Sequence, residues 1–350
     1  MRIAQIAPLT ESVPPRLYGG TERVVSFLTE ELVRQGHDVT LFASGDSVTA
    51  AHLEAMAPRA LRFETGLRDH MAPILGMLED VYRRAHEFDV LHFHLDYFSY
   101  PLFSRQNTPF VTTLHGRLDL PELRPVYARF PDAPVVSISD AQRRPLPEAN
   151  FVATIHHGLP LDLLTPRPVK PGYLAFLGRI SPEKAPDRAI RIARRAGIPL
   201  KIAAKVDRVD EEYYRAKIRP MIDGRHVEMI GEIGDAQKPE FLSGASALLL
   251  PIDWPEPFGL VMIEAMACGT PVIAFPAGSV PEVIEDGRTG FIVRDEYEAV
   301  AAVARLPELS RSAIRARFEE RFSVERMAAD YLALYRGLAA KARPRLRAVG

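Results

Sequence analysis

Short apolar runs alternate with amphipathic helical patterns along nearly the whole sequence, and this alternation limits the fold more than any other feature. It is typical of parallel sheets whose two faces are covered by helices. One such helix is predicted over residues 21–35. The strands predicted in the first half are residues 2–7, 38–43, 90–94, 110–113, 135–137 and 152–155.

A proline-rich stretch interrupts the alternation, which then restarts. Residues 159–172 contain Pro160, Pro166, Pro168 and Pro171 and have no period, which is typical of a linker. After it, strands are predicted at residues 173–177, 200–204, 226–230, 247–250, 271–274 and 290–293, with helices at 187–196 and 260–268. We therefore predict two doubly wound α/β domains at residues 1–160 and 173–322, a linker at 161–172, and a C-terminal helix and basic tail at 323–350. Ligands bind beyond the carboxyl ends of parallel strands, so two such domains would face each other across a cleft.

Composition excludes several classes of function. With 44 basic and 45 acidic residues the net charge is −1, which argues against a nucleic-acid partner. The single cysteine, Cys268, cannot form an intramolecular disulfide, and the apolar N-terminal run meets Pro8 too early for a signal peptide, so we expect a cytoplasmic protein. The basic C-terminal residues favour a solvated helix end over a contact with anionic lipid. They are Arg336, Lys341, Arg343, Arg345 and Arg347.

A paired glycine precedes the first predicted helix. Gly19 and Gly20 allow bare backbone N–H groups to approach a ligand, and the helix beginning at Thr21 directs its positive end toward an anion. The alternative is a tight turn followed by Thr21 as a helix N-cap.

Two cationic side chains flank the turn after the first strand of the second half. Arg179 and Lys184 lie five positions apart, in a chain with few lysines. A planar guanidinium and a flexible ammonium together suit the oxygens of a diphosphate. The alternative is a pair of solvated charges at a sheet edge.

Two glutamates, eight positions apart, mark the most specific stretch, residues 251–271. Glu256 is predicted in a loop after a strand, and Glu264 inside an otherwise apolar helix. A carboxylate there is costly to desolvate unless it has a partner, such as a pair of hydroxyls or, alternatively, backbone groups. Gly259 at the helix start leaves amides open to a phosphate.

The Glu256-x7-Glu264 pattern resembles the signature of retaining glycosyltransferases of family 4. The Gly178-Arg179-x4-Lys184 and Gly19-Gly20 loops are similar to the same family, so the resemblance covers nearly the whole chain. It implies a GT-B fold, in which two facing Rossmann-like domains enclose a cleft. The first domain would be on the acceptor side, and the second would bind a nucleotide sugar.

The resemblance also implies roles for individual residues. Arg179 and Lys184 would grip the donor diphosphate, Glu264 would bind the ribose, and Glu256 would contact the donor sugar. His115 would lie beside that sugar, where an imidazole can donate to a hydroxyl or stabilise developing charge. The implied catalytic residues are His115, Glu256, Arg179 and Lys184; further donor contacts are implied for Gly19, Gly20, Gly231, Glu232, Ile233, Phe258, Gly259 and Leu260.

Three polar residues on and after one predicted strand suggest a metal site or an acceptor pocket. His92 and His94 alternate along the strand and share a face, and Asp96 would join them if the strand continued. The family resemblance implies no metal, and the sequence has no Asp-x-Asp motif, so we favour an acceptor-side role for these three residues and for Tyr18; packing inside the domain is the alternative for the histidines.

The expected function is transfer of a hexose from a nucleotide-diphosphate sugar to an acceptor hydroxyl, with retention at the anomeric carbon and without a cofactor. The resemblance implies a front-face mechanism; a covalent nucleophilic role for Glu256 is the lesser alternative. The N-terminal stretch is similar to bacterial members that glucosylate pterins, which implies UDP-glucose as donor. The alternatives are a sugar-nucleotide epimerase, a GDP-mannose-dependent mannosyltransferase and a non-catalytic nucleotide-sugar-binding protein.

Overall fold

The computed structural model describes residues 1–16 and 19–342, and the chain forms two compact units. Unit 1 comprises Met1–His157 together with Val324–Gly350, and unit 2 comprises Gly158–Ser323. Tyr18 and the last three arginines of the basic tail, Arg343, Arg345 and Arg347, lie outside the described residues.

Unit 1 is built on a seven-stranded parallel sheet with the order β3-β2-β1-β4-β5-β6-β7. Its central strands are buried along their length, because helices cover both faces. The strands are β1 Arg2–Ile6, β2 Asp38–Ser44, β3 His52–Ala57, β4 Val90–Phe93, β5 Phe110–Thr113, β6 Pro134–Ser137 and β7 Asn150–Thr154. Strand β3 was not predicted, because it is a partly exposed edge strand without a continuous apolar run.

The helices of unit 1 come from both ends of the chain. They are α1 Gly20–Arg34, α2 Met71–Arg84, α3 Tyr100–Phe103, α4 Leu123–Tyr127, α5 Asp140–Arg143 and α13 Val324–Ala342. The structure does not support the alternative in which Thr21 is an N-cap: α1 begins at Gly20, and Gly19 is the N-cap residue without a side-chain cap. No packing partner was predicted for the last helix; in the structure α13 contacts α1 and β4.

Unit 2 contains a six-stranded parallel sheet with the order β10-β9-β8-β11-β12-β13. Its strands are β8 Tyr173–Arg179, β9 Leu200–Lys205, β10 Val227–Gly231, β11 Ala245–Leu250, β12 Val272–Ala274 and β13 Gly290–Ile292. Its helices are α6 Pro186–Ala196, α7 Glu211–Tyr213, α8 Lys238–Ser243, α9 Leu260–Ala267, α10 Val280–Val283, α11 Glu296–Ala304 and α12 Arg311–Phe322; a π-helical turn, Tyr214–Ile218, follows α7.

The proline-rich stretch packs as part of unit 2. The Arg315 guanidinium on α12 donates to the carbonyl oxygens of Leu161 and Leu164, at 2.6 and 2.7 Å. Leu159 N–H donates to the Phe322 carbonyl oxygen at 2.9 Å. The chain therefore enters and leaves unit 2 at adjacent points, with one boundary at His157 and the other at Val324.

Both sheets change direction beside their first strand. In unit 1 the strand order reverses between β1 and β4, and in unit 2 between β8 and β11. Ligands of doubly wound sheets bind at such switch points, beyond the carboxyl ends of the strands. The loop containing Lys184 follows β8, and the loop containing Glu256 follows β11.

No helix within the described part of the chain is both long and apolar enough to cross a bilayer.

Candidate functional site

The turn that carries Arg179 and Lys184 is set by its local sequence. Arg179 is the last residue of β8, and Ser181 caps a short 3-10 helix, Pro182–Lys184. Ala185 then adopts the left-handed conformation, with φ of 49°, before Pro186 begins α6. The two cations are thus held at the switch point of the unit 2 sheet.

Arg179 is surrounded by carboxylates but held loosely by them. Its guanidinium lies 3.4 Å from Asp210, 3.6 Å from Glu183 and 3.8 Å from Asp207. Within the described residues, neither the buried Nε of Arg179 nor Oδ2 of Asp210 has a hydrogen-bond partner. These distances exceed those of charge-assisted hydrogen bonds, so the guanidinium retains donor capacity for an anion.

Lys184 contacts one of the two signature glutamates directly. Its Nζ forms a hydrogen-bonded ion pair with Oε2 of Glu256. The indole N–H of Trp254 donates to the same oxygen at 3.1 Å, and Lys184 Nζ lies 5.0 Å from the centroid of the Trp254 ring. Two stretches far apart in sequence therefore form one cluster, defined here as the Lys184 cluster: Lys184, Trp254 and Glu256.

A glycine turn holds the backbone of Glu256 in place. Ser279 N–H donates to the Glu256 carbonyl oxygen at 2.9 Å, and the Ser279 hydroxyl donates to the Phe258 carbonyl oxygen at 2.8 Å. A Cβ at Gly278 would lie 2.3 Å from both the backbone N and O of Glu256. This turn was not predicted; its only signal in the sequence is the run Pro276-Ala277-Gly278-Ser279.

Helix α9 begins without a side-chain cap. Gly259, with φ of 77°, is its N-cap residue, and a Cβ there would lie 2.8 Å from Cε of Met262. Phe258 is buried and Leu260 is half-buried. The first amides of α9 are therefore free of any capping side chain, which is compatible with the predicted contacts to a ligand.

Glu264 is paired with a lysine that was not predicted from the sequence. Glu264 is 1% exposed, and its Oε1 accepts a hydrogen bond from Lys238 Nζ at 2.8 Å. Lys238, at the start of α8, also lies 3.1 Å from Asp235. Cys268, one turn after Glu264, is buried; burial, with the nearby Glu264 charge, raises the pKa of its thiol to about 12.

Three of the implied donor contacts, Gly231, Glu232 and Ile233, lie at the end of β10 and directly after it. Gly231 ends that strand with φ of 81°, Glu232 is exposed and Ile233 is buried. A positive φ is strained for any residue with a side chain, which explains a glycine there.

His115 follows β5 in unit 1 and belongs to a buried histidine group. Its Nε2 lies 2.9 Å from Nδ1 of His94, and its ring stacks on that of His157 at 5.3 Å between centroids. His115 is half-buried, and desolvation lowers its pKa to about 3. The imidazole is therefore neutral at pH 7, able to donate from one nitrogen and accept at the other.

The structure does not extend the strand to Asp96. Strand β4 ends at Phe93, and Asp96 has φ of 47°, so the strand alternation that would bring Asp96 to the histidine face does not reach it. His92 is fully buried; its Nε2 lies 2.7 Å from the Thr113 hydroxyl and its Nδ1 2.6 Å from the Tyr335 hydroxyl. His92 could contact an acceptor only by breaking one of these bonds. Among the residues described, no three His, Cys, Asp or Glu side chains form a group that could hold a metal ion.

The Gly19-Gly20 loop lies at the start of α1. A Cβ at Gly19 would lie 2.8 Å from Pro15 Cβ and 3.2 Å from Glu22 Oε2. Glu22 is buried in the first turn, and burial raises its pKa. The need for glycine at position 19 thus has a packing reason within unit 1.

Comparison with known families matches both halves of the chain. The family described as glycosyltransferase family 4 matches residues 18–146, and the family described as glycosyl transferases group 1 matches residues 165–322. Together these two matches extend over most of the chain.

Relatives with assigned activities are glycosyltransferases with different substrates. The chain is 26% identical to a phosphatidyl-myo-inositol mannosyltransferase of Mycobacterium leprae, over 91% of this chain and 90% of the relative. It is 26% identical to an alpha-maltose-1-phosphate synthase of Mycolicibacterium smegmatis, over 96% of this chain and 100% of the relative. A D-inositol 3-phosphate glycosyltransferase of Rhodococcus erythropolis is 35% identical over 47% of this chain and 40% of its own length.

Solved structures share the fold. A glycosyltransferase of avilamycin A biosynthesis, AviGT4, superposes with a TM-score of 0.76 at 24% identity, covering 97% of this chain and 98% of its own. A sucrose-phosphate synthase from Thermosynechococcus elongatus gives a TM-score of 0.77 at 21% identity, covering 97% and 100% of the two chains. The two parallel sheets, the signature glutamates and the two family matches all lead to the same conclusion. The chain belongs to the family 4 glycosyltransferases with the GT-B fold.

Proposed function

We propose that this glycosyltransferase transfers a hexose from a nucleotide-diphosphate sugar to an acceptor hydroxyl, with retention at the anomeric carbon. UDP-glucose is the first donor to test. The observation that supports the proposal most is the Lys184 cluster beside Arg179 at the switch point of the unit 2 sheet. This cluster brings the proposed diphosphate-binding and sugar-binding side chains together.

In the proposed reaction, the bond between the anomeric carbon and the donor phosphate oxygen breaks, and its electron pair remains on the diphosphate. Arg179 and Lys184 stabilise that charge. The acceptor oxygen bonds to the anomeric carbon from the same face, and its proton passes to an oxygen of the departing diphosphate. The charge stabilisation therefore comes from two preorganised cations of this chain.

Binding of the donor would exchange partners within the cluster. Lys184 now contacts Glu256, so the diphosphate would take over the ammonium while Glu256 turned to the sugar hydroxyls. Arg179, whose three carboxylate neighbours all lie at 3.4 Å or more, would give up little on accepting phosphate oxygens. Glu264 would bind the ribose hydroxyls while keeping its contact with Lys238.

A mannosyl donor is the second candidate. It is favoured by the similarity to the mannosyltransferase of M. leprae, which covers nearly the whole of both chains. A thermal-shift screen with UDP-, GDP- and ADP-sugars would separate these donors. NMR of the best binder after incubation would report hydrolysis or transfer; an isomerised donor formed without an acceptor would instead indicate an epimerase.

The variant Lys184→Ala tests the proposed role of the cluster. We expect turnover at saturating donor to fall by about 100-fold or more, because one cation facing the leaving group is lost. Lys201→Ala is the matched control: Lys201 lies on β9 of the same unit and packs its ammonium over the Tyr173 ring, 4.6 Å from the centroid. Equal turnover of wild type and Lys184→Ala would refute the diphosphate role.

A further inference from the structure

A continuous series of hydrogen bonds joins His115 to helix α13 through the interior of unit 1. His115 Nε2 lies 2.9 Å from His94 Nδ1, and His94 Nε2 lies 2.9 Å from Gln5 Oε1. The Gln5 amide N–H donates to the Tyr335 hydroxyl at 3.2 Å, and that hydroxyl lies 2.6 Å from His92 Nδ1. His92 Nε2 continues the series to the Thr113 hydroxyl, at 2.7 Å, and this hydroxyl lies 2.8 Å from that of Tyr331.

The members of this series come from four elements that pack together. Gln5 lies on β1 in register with His92 on β4, Thr113 ends β5, and the two tyrosines lie one turn apart on α13. Gln5, His92 and Tyr335 are fully buried, and His94 is 4% exposed. Water therefore has little access to the series, and each polar atom depends on its protein neighbours.

The proton positions along the series depend on one another. Burial lowers the pKa of His92 and of His94 and raises that of Tyr335, so both rings and the hydroxyl are uncharged at pH 7. A neutral imidazole has one N–H and one acceptor nitrogen. Once one ring's proton is placed, the hydrogen bonds therefore determine the next one.

The orientation of the Gln5 amide determines which nitrogen of each imidazole in the series carries the proton. Its oxygen faces His94 Nε2, so that nitrogen carries the proton and His94 Nδ1 accepts. His115 must then carry its own proton on Nε2, because Nε2 is the atom that faces His94 Nδ1. On the other side, the Gln5 amide donates to Tyr335, whose proton goes to His92 Nδ1.

We propose that His94, Gln5 and Tyr335 are positioning residues that hold His115 as its Nε2–H tautomer, leaving Nδ1 as an acceptor for a sugar hydroxyl. This inference rests on the proposed function, in which His115 contacts the sugar. Across the described residues Nδ1 of His115 makes no hydrogen bond to the protein, so the lone pair is available to a ligand. The opposite tautomer would present an N–H there and would select a different arrangement of the hydroxyl.

The tautomer can be observed without any substrate. Long-range 1H–15N correlation NMR of protein labelled at histidine distinguishes a protonated from an unprotonated Nδ1, and the His115 signals are assigned by their loss in His115→Gln. We expect an unprotonated Nδ1 in the wild type. Tyr335→Phe removes one hydroxyl far along the series and His94→Phe removes the direct contact, so both should convert His115 to a mixture of tautomers.

Two variants serve as controls. His94→Gln retains a side chain that can donate toward Gln5 and accept from His115, so it should restore the wild-type signal that His94→Phe loses. Tyr82→Phe changes an exposed tyrosine of α2, outside the series, and should leave the His115 signals unchanged. A purely structural role for the series would not produce this pattern. Protonation of Nδ1 in the wild type, or identical His115 signals in all variants, would overturn the proposal.

Kinetics test whether the tautomer affects the reaction. We expect kcat to fall about 10- to 100-fold in His94→Phe and Tyr335→Phe, because the correctly directed hydrogen bond from the sugar hydroxyl to His115 Nδ1 is lost from part of the reacting complexes. Binding of UDP alone should be unchanged, since it does not involve the sugar. Unchanged kcat with an altered tautomer would refute the role of the acceptor nitrogen. If the wild type turns over no nucleotide sugar, the proposed function fails, and the NMR result still tests the assignment of the proton.

Discussion

The buried carboxylate of Glu264 is paired with a side chain that lies far away in sequence. Glu264 was predicted to need a partner, because its helix is otherwise apolar, and its carboxylate accepts a hydrogen bond from Lys238. Lys238 lies 26 positions earlier on another helix. Its identity could not be predicted from sequence, because it depends on how α8 packs against α9.

Removing the Lys238 ammonium alone should destabilise unit 2 more than removing both charges of the Lys238–Glu264 pair. Lys238→Met leaves Glu264 buried without its cation, and we expect a loss of about 3–5 kcal/mol in the free energy of unfolding of unit 2. Trp254, the single tryptophan of the chain, lies in unit 2 and would report its unfolding in urea by fluorescence.

The double variant Lys238→Met/Glu264→Gln is the control for this prediction. It removes the uncompensated charge, so it should recover part of the lost stability. If the double variant is as unstable as the sum of the two single variants, the two side chains are not energetically coupled.

At the scale of elements, a tight turn at Gly278 holds the backbone of Glu256, whereas the other site residues of unit 2 lie on or next to strands and helices. Most predicted strands agree with the structure within one or two residues, because apolar runs bounded by Gly and Pro are local signals. The contact of the Gly278 turn with the Glu256 backbone was missed, since it joins two loops whose proximity no local pattern encodes.

Gly278→Ala should displace Glu256 and lower turnover. The new Cβ would meet the Glu256 backbone at 2.3 Å, in addition to the strain of a φ of 59°. Gly287→Ala is the matched control, because Gly287 has φ of 70° but nothing within 4 Å of an added Cβ. The control should lose about 1–2 kcal/mol of stability and keep its turnover. Equal turnover in the two variants would show that the Gly278 contact does not position Glu256.

At the scale of the whole molecule, the buried histidines are divided unevenly between the two units. Burial lowers the pKa of His92, His94, His115 and His157, and all four lie in unit 1. The single histidine of unit 2 is His226. Acid should therefore act first on unit 1.

The direction in which the stability of unit 1 changes with pH follows from proton binding. Below about pH 6.5 the unfolded chain protonates these histidines and the folded unit does not, so unfolding takes up protons and stability falls as the pH falls. Each histidine contributes up to about 1.4 kcal/mol per pH unit. Burial raises the pKa of Glu22 and Asp96, which acts in the opposite direction and reduces the slope.

We expect unit 1 to lose several kcal/mol of stability between pH 7 and about 5.5, and unit 2 to lose much less. Samples of the protein would be equilibrated in urea at each pH and then pulse-labelled with deuterium at one fixed pH. Mass spectrometry of the labelled peptides would show which unit had unfolded. His94→Gln should make the dependence less steep by one histidine. An unfolding midpoint of unit 1 that does not change with pH would contradict the assignment of neutral buried histidines.

Local sequence patterns were sufficient to predict the two parallel sheets, the loops after β8 and β11, and the family signature. Periodicity, turn residues and motif spacing are properties of residues that are close in sequence. They were not sufficient for the partners of the site residues. No role was predicted for Gln5, Tyr331 or Tyr335: in the sequence Gln5 is one polar residue in an apolar run, and the two tyrosines are one helical turn apart. Gln5 meets His94 because β1 pairs with β4, and the two tyrosines meet His92 because α13 packs against β4. Both contacts exist only in the folded chain. Tertiary packing thus decides which hydrogen bonds the buried histidines make, and therefore which nitrogen of His115 carries the proton.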